Sequence, residues 1–199
     1  MGFSTLLDVI ASMIIGGMLL SIVFRVSDSA TEKLYNNSGE LSLQQNLSTV
    51  AKMIEYDFKK IGYCSDWTQI PIPSRSILVA DNSKLKFLTD VDKDGSLDSI
   101  FYYLGLASEL LQTENPRDRI LYRVVNAEQP IASNLGVTDF HMTYFDALGD
   151  TIPFPITVPG EIASIEVNIS VENVAAYDTA YSSAFWRQIR LVARNLKKR

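Results

Sequence analysis

The 199-residue sequence predicts an α+β chain: a long N-terminal helix, membrane-embedded in its first half, packed on an antiparallel β-sheet. Three observations carry that expectation. An apolar run with a single charge fills residues 3–24, and one apolar stripe at helical spacing follows over residues 43–61. From Ile77 onward, apolar residues alternate with polar ones at period two. The expected divisions are a transmembrane helix over 3–25, its continuation over 26–61 and a sheet domain over 62–199.

The first run reads FSTLLDVIASMIIGGMLLSIVF, and Asp8 is its only charge. As a helix, the uncharged part from Val9 to Phe24 reaches ~24 Å, short of a hydrocarbon core of about 30 Å. Starting from Phe3 the reach is ~33 Å, so a span must hold Asp8 inside or at the edge of the apolar slab. An ionisable side chain there is a functional hypothesis by default. The plainer alternative is a helix-start carboxylate facing headgroups and favoured by the helix dipole. A removable secretory signal, cut near Ser27, Ser29 and Ala30, is the competing reading of the whole segment. It expects a basic n-region, and Met1-Gly2 supplies no Lys or Arg.

Val26 to Gly39 is polar and closes on the helix-weakening Asn36-Asn37-Ser38-Gly39. Leu43, Leu47, Val50, Ile54, Phe58 and Ile61 then form the stripe, and Gly62 is placed to cap it. A helix with one narrow apolar stripe must lie against something on that side. The obvious cover is the sheet, whose strands are expected at 85–88, 99–104, 119–125, 140–145, 162–171 and 186–194. Pro71, Pro73, Pro153, Pro155 and Pro159 mark irregular loops between them.

Composition excludes several classes. Eighteen basic residues against 23 acidic ones give a net charge of −5, which argues against nucleic acid as the principal partner. One cysteine rules out an internal disulfide and any multi-cysteine zinc site. The single histidine, His141, excludes sites built on two or three histidines, and it reads as a surface residue on the face opposite Phe140 and Met142. Cys64 reads as a small apolar residue, and nothing in the sequence pairs it with His141 for nucleophilic chemistry. The basic residues Arg187, Arg190, Arg194, Lys197, Lys198 and Arg199 read as a solvated strand face and tail. Lipid headgroups or nucleic acid are the alternative contacts.

The strongest local motif is Asp90-Val-Asp92-Lys-Asp94-Gly95-Ser96-Leu-Asp98. Oxygen donors at positions 1, 3, 5, 7 (the Ser96 carbonyl) and 9, with glycine at 6, match a calcium loop. Position 12 departs from it, because Phe101 stands where a bidentate glutamate belongs, and strands rather than helices flank the loop. A Ca²⁺ site and a solvated acidic hairpin turn both fit the pattern.

Gly2-Phe3, followed by Thr5-Leu6-Leu7-Asp8-Val9 and an apolar helix, resembles the class III signal of type IV pilins and pseudopilins. That signal runs glycine, cleavage site, aromatic residue, then Thr-Leu-Ile-Glu-Val or close to it. Asp57-Phe-Lys-Lys-Ile-Gly62-Tyr, the acidic turn ahead of Ile100-Phe-Tyr-Tyr, and Ile189-Arg-Leu-Val-Ala-Arg194-Asn195 are similar to minor pilins of the W type and the type II secretion pseudopilin J. The resemblance implies a pilin-like fold and a leader of residues 1–2. Prepilin peptidase would then cut after Gly2 and methylate the Phe3 amine. It also implies that Asp8 neutralises a neighbouring subunit's N-terminus, and that Gly16-Gly17 lies where family helices loosen on assembly. The partners it implies are other pilin or pseudopilin subunits and the bacterial inner membrane, with the sheet domain in the periplasm. The function that follows is structural and not enzymatic: joining or priming a type IV pilus or type II secretion filament. The alternative is a membrane-anchored, calcium-dependent extracytoplasmic binding module. A membrane-tethered hydrolase lacks a catalytic set.

Overall fold

A computed structural model describes residues 2–173 and 183–192. The chain divides into two compact units, Met1–Leu41 and Ser42–Arg199. Helix α1, Gly2–Phe58, runs unbroken through the Asn36–Gly39 stretch and so contributes to both. In the first unit α1 is long and apolar enough to cross a membrane, and its large apolar side chains from Phe3 to Phe24 are exposed. The hydroxyls of Ser12 and Thr31 turn back onto the carbonyls of Val9 and Ser27, at 2.8 and 3.0 Å. Their donors are therefore satisfied within the helix itself.

In the second unit the stripe behaves as its spacing demands. Leu43, Leu47, Val50, Ile54, Phe58 and Ile61 are all buried, and they belong to one core with the inner face of the sheet. The α-helix ends at Phe58, one turn before the expected stop, because residues 59–62 tighten into a turn. Gly62 sits in the left-handed region at φ 72°, and its N–H donates to the Leu88 carbonyl at 3.0 Å. The glycine thus passes the chain from the helix to the sheet.

Seven strands form one antiparallel sheet in sequence order: β1 Ile77–Ala80, β2 Lys84–Thr89, β3 Asp98–Leu104, β4 Arg119–Val125, β5 Ile131–Phe145, β6 Ser164–Glu172 and β7 Ser183–Val192. Leu85, Phe87, Ile100, Tyr102, Leu121, Phe140, Met142, Tyr144, Ile165, Val167, Ile169 and Val171 face the core. The expected strands are present, with two additions. β1 is short and reads ILVA, with no alternation to betray it. The first half of β5 contains Asn134 and Gly136, weak strand formers that pairing with β4 and β6 overrides. At Gly136, φ 70°, a β-carbon would run into the carbonyl of Glu172, and the β5–β6 register shifts just beyond it. This is a bulge that only glycine fits. The β1–β2 turn comes back to β5. Asn82 accepts the Met142 N–H at 2.8 Å, and the Tyr144 hydroxyl donates to the Asp81 carbonyl at 2.8 Å. The sheet is therefore curled over the helix. Ala193 and Arg194 of the expected last strand lie outside the described residues.

One charged residue interrupts the buried stripe. Asp57 stands three residues after Ile54 and four before Ile61, and it is buried. Its Oδ2 accepts the Tyr102 hydroxyl at 2.5 Å and the Arg123 Nε at 2.6 Å, and its Oδ1 accepts Arg123 Nη2 at 3.4 Å. One carboxylate thereby ties α1 to β3 and β4. Burial, and then the Asp57 charge, push the Tyr102 hydroxyl well above its usual range, so it stays a donor. Burial works against the Arg123 charge, but the bonds and charge of Asp57 outweigh it and hold the guanidinium above its ordinary value. Beside this group the Phe58 ring meets Phe87 and Tyr102 edge-on, at 5.7 and 5.6 Å between centroids. Removing one partner leaves the other charge buried and unpaired, so Asp57→Asn should cost about 3 kcal/mol in urea unfolding. The double variant Asp57→Asn/Arg123→Met should recover part of that loss. A cost below about 1 kcal/mol would mean the pair behaves like an exposed one.

Candidate functional site

Two sets of residues carry chemistry, one in each unit. In the first unit Phe3 and Asp8 lie on α1, and both are exposed, with Phe3 at 81%. The helix includes Gly2. Asp8 stands among Leu6, Leu7, Val9 and Ile10, all exposed, so the carboxylate interrupts an apolar surface.

In the second unit the β2–β3 connection, residues 90–97, is built around Asp90. That residue is fully buried, and its two oxygens collect backbone N–H groups from both sides of the turn. Oδ1 accepts from Lys93 at 2.6 Å, while Oδ2 accepts from Ser65 at 3.0 Å and Gly95 at 3.2 Å. Burial alone would raise the Asp90 carboxyl, but the N–H groups of Ser65, Gly95 and Lys93 outweigh it and hold the group below the usual carboxylate range. Lys93 and Gly95 both take positive φ, 66° and 88°, which turns their amides inward.

Asp98 closes the other end of the loop. Its Oδ2 accepts the Val91 N–H at 2.9 Å and its Oδ1 the Asn126 amide at 2.7 Å. Asn126 in turn accepts the Ser99 N–H at 2.8 Å. One oxygen each from Asp90, Asp92 and Asp98 lies within 4.8 Å of the others, close enough to share one cation. Asp94 stands outside that group, and its Oδ1 accepts the Ser96 N–H at 2.6 Å. Ser96 is exposed. Of the five expected ligand residues, the fold therefore converges three carboxylates, an all-oxygen donor set of the kind that suits a hard cation such as Ca²⁺.

Cys64 is buried under this turn, with Sγ 3.5 Å from the Gly95 carbonyl and 3.9 Å from Asp90 Oδ2. Burial pushes its thiol up, which keeps it from being a nucleophile. His141 lies half-buried on β5, between the buried Phe140 and Met142 and opposite Asn168, as a strand surface residue. Arg187 and Arg190 fall on β7 with their side chains undescribed, and Arg194, Lys197, Lys198 and Arg199 lie outside the described residues.

Sequence reasoning missed Asn126, Ser65 and the Asp57–Tyr102–Arg123 group. A signal existed only for Asp57, a charge on the apolar helical stripe. Asn126 follows β4 as an ordinary turn residue, and its partnership with Asp98 is set by strand pairing. Comparison with protein-family models, with curated proteins and with solved structures finds no match.

The acidic turn makes a pH statement with a definite sign. A carboxyl held below its unfolded value adds stability that is present above the ordinary carboxylate range and lost as pH falls through the folded value. Asp90→Asn should lower the melting temperature at neutral pH and shrink the loss of stability between about pH 5 and pH 2. Thermal unfolding of both proteins across that range checks this. Parallel acid limbs would show that Asp90 is not the group responsible.

Proposed function

We propose that this chain is a minor pilin-like or pseudopilin-like structural subunit. It is stored in the inner membrane by residues 3–25, with its sheet domain in the periplasm. It joins or primes an extracytoplasmic filament of the type IV pilus or type II secretion kind. Prepilin peptidase cuts after Gly2 and methylates Phe3, and the partners are neighbouring subunits. The observation that carries this reading is the composition of α1: a membrane-length apolar run with one carboxylate, Asp8, continuing as a helix whose later stripe is buried under a sheet.

The two parts of that helix suit two environments. In lipid, the exposed apolar side chains need no protein partner, and Asp8 near the helix start can face the headgroups. In a bundle of packed helices, the same side chains supply the contact surface. There an ionised Asp8 is removed from water, and leaving it unpaired costs several kcal/mol. The protonated amine of a neighbour's Phe3 offsets that cost and fixes the axial register between subunits. The role is one of assembly, and no bond is made or broken by the chain itself.

Asp8→Asn should therefore insert, be processed and fold as the wild type does, yet enter the filament at least tenfold less efficiently, about 1.4 kcal/mol or more of lost pairing. Asp8→Glu should be tolerated better, since glutamate is the usual residue of the resembling signal. Immunoblotting of sheared filaments against membrane pools measures this. Equal incorporation of Asp8→Asn would remove charge pairing from the mechanism.

The second reading is a membrane-anchored binding module that takes Ca²⁺ at Asp90, Asp92 and Asp98 and never polymerises. The convergence of those three carboxylates favours it. Calcium binding raises the melting temperature by ligand linkage. A millimolar-calcium shift that Asp92→Asn abolishes, together with no filament incorporation, would select this reading over the first.

A further inference from the structure

Asp118, immediately before β4, is fully buried, and neither of its carboxylate oxygens has a hydrogen-bond partner. Buried carboxylates are normally paired or hydrogen-bonded, since an uncompensated charge out of water is costly. Its own N–H donates to the Asn115 carbonyl at 3.3 Å, which closes a tight turn over residues 115–118. That turn is latched to the end of β6. Asn115, itself buried, donates its side-chain amide to Glu172 Oε2 at 2.8 Å and to the Asn173 carbonyl at 3.4 Å.

The charges around Asp118 do not relieve it. Glu172, on β6, is a second carboxylate whose like charge acts on Asp118. Arg117, on the same turn, places its guanidinium on Glu172 Oε2 at 3.0 Å, with its side chain 58% exposed. That cation is thus engaged with the other acid, and Arg119, which follows Asp118 and opens β4, is exposed. Gly136 on β5, which lies close against the Glu172 carbonyl, brings no charge.

We propose that Asp118 is a proton-binding site, neutral while the 115–118 turn is latched to β6, and that its ionisation loosens this latch. A proton is the one ligand that neutralises a carboxylate without needing any cavity, and it turns one orphaned acceptor into a neutral O–H. Burial, and then the Glu172 charge, push the Asp118 carboxyl up to about 6, which puts the transition in a range that an extracytoplasmic compartment can cross. The sign is opposite to that of Asp90. A carboxyl raised above its unfolded value adds stability that is fully present below about pH 4 and is lost as pH rises through about 6.

The test is thermal unfolding of the full chain in a non-ionic detergent with a chelator, followed between pH 5 and pH 8. The wild-type melting temperature should fall by about 5 °C more than that of Asp118→Asn, whose neutral amide mimics the protonated acid. Should Asp118→Asn fold poorly, Glu172→Gln supplies the second arm. Removing the like charge should move the wild-type transition to lower pH. Parallel curves for wild type and Asp118→Asn, or an unmoved transition in Glu172→Gln, would overturn the proposal. So would a calcium addition at pH 8 that restores the wild-type value and leaves Asp118→Asn unchanged, because the carboxylate would then hold a metal ion instead of a proton.

Discussion

A carboxylate on an apolar helical stripe would normally break a core, and here it fastens one. Asp57 lies at the level of Phe58 and Ile54, where α1 meets β3 and β4, and both of its oxygens are taken by Tyr102 and Arg123. Apolar burial of the stripe supplies most of the adhesion, at roughly 1.5–3 kcal/mol for each large side chain removed from water. That force is non-directional and would tolerate a helix slid by a turn. The ionic group would not, because sliding α1 leaves Arg123 without its acceptor. Adhesion thus comes from the stripe and register from Asp57.

The same helix carries a second apolar surface with a different fate. The apolar residues around Asp8 are exposed, while Leu43, Leu47, Val50, Ile54 and Phe58 are in the core. A run of exposed Leu, Ile, Met and Phe of that length is a surface waiting for lipid or for other helices. The proposed subunit uses it for both in turn. The acidic turn and the 115–118 turn are separate devices within the sheet domain. In the first, a buried carboxylate is satisfied by amides, and in the second a buried carboxylate is not. Their stabilities therefore respond to acid in opposite directions.

Much of the fold could be read from the sequence because it is written in periodicity. The spacing of Leu43, Leu47, Val50, Ile54 and Phe58 gave the buried helix face, and the alternation in residues 164–171 gave the core-facing Ile165, Val167, Ile169 and Val171 of β6. What escaped was set by tertiary pairing. β1 is four residues with no alternation, and the Ile131–Thr138 part of β5 owes its strand to neighbours on both sides of a glycine bulge. At the candidate site the Asp/Gly spacing announced the turn, but not which carboxylates converge. Asp94 points back to its own loop while Asp98, held by Asn126, joins Asp90 and Asp92. Asp118 sits between Arg117 and Arg119 in the sequence, with no apolar periodicity around it to announce burial. Only the fold shows it buried with its oxygens unpartnered.

The central claim is that the apolar half of α1 is a processed assembly helix and not a mere anchor or a discarded signal. Mass spectrometry of the mature N-terminal peptide from native membranes tests it most directly. The account predicts a chain beginning at Phe3 with a methylated α-amine. A mature protein that retains Gly2, or one released in soluble form with a new N-terminus near Ala30, would contradict it.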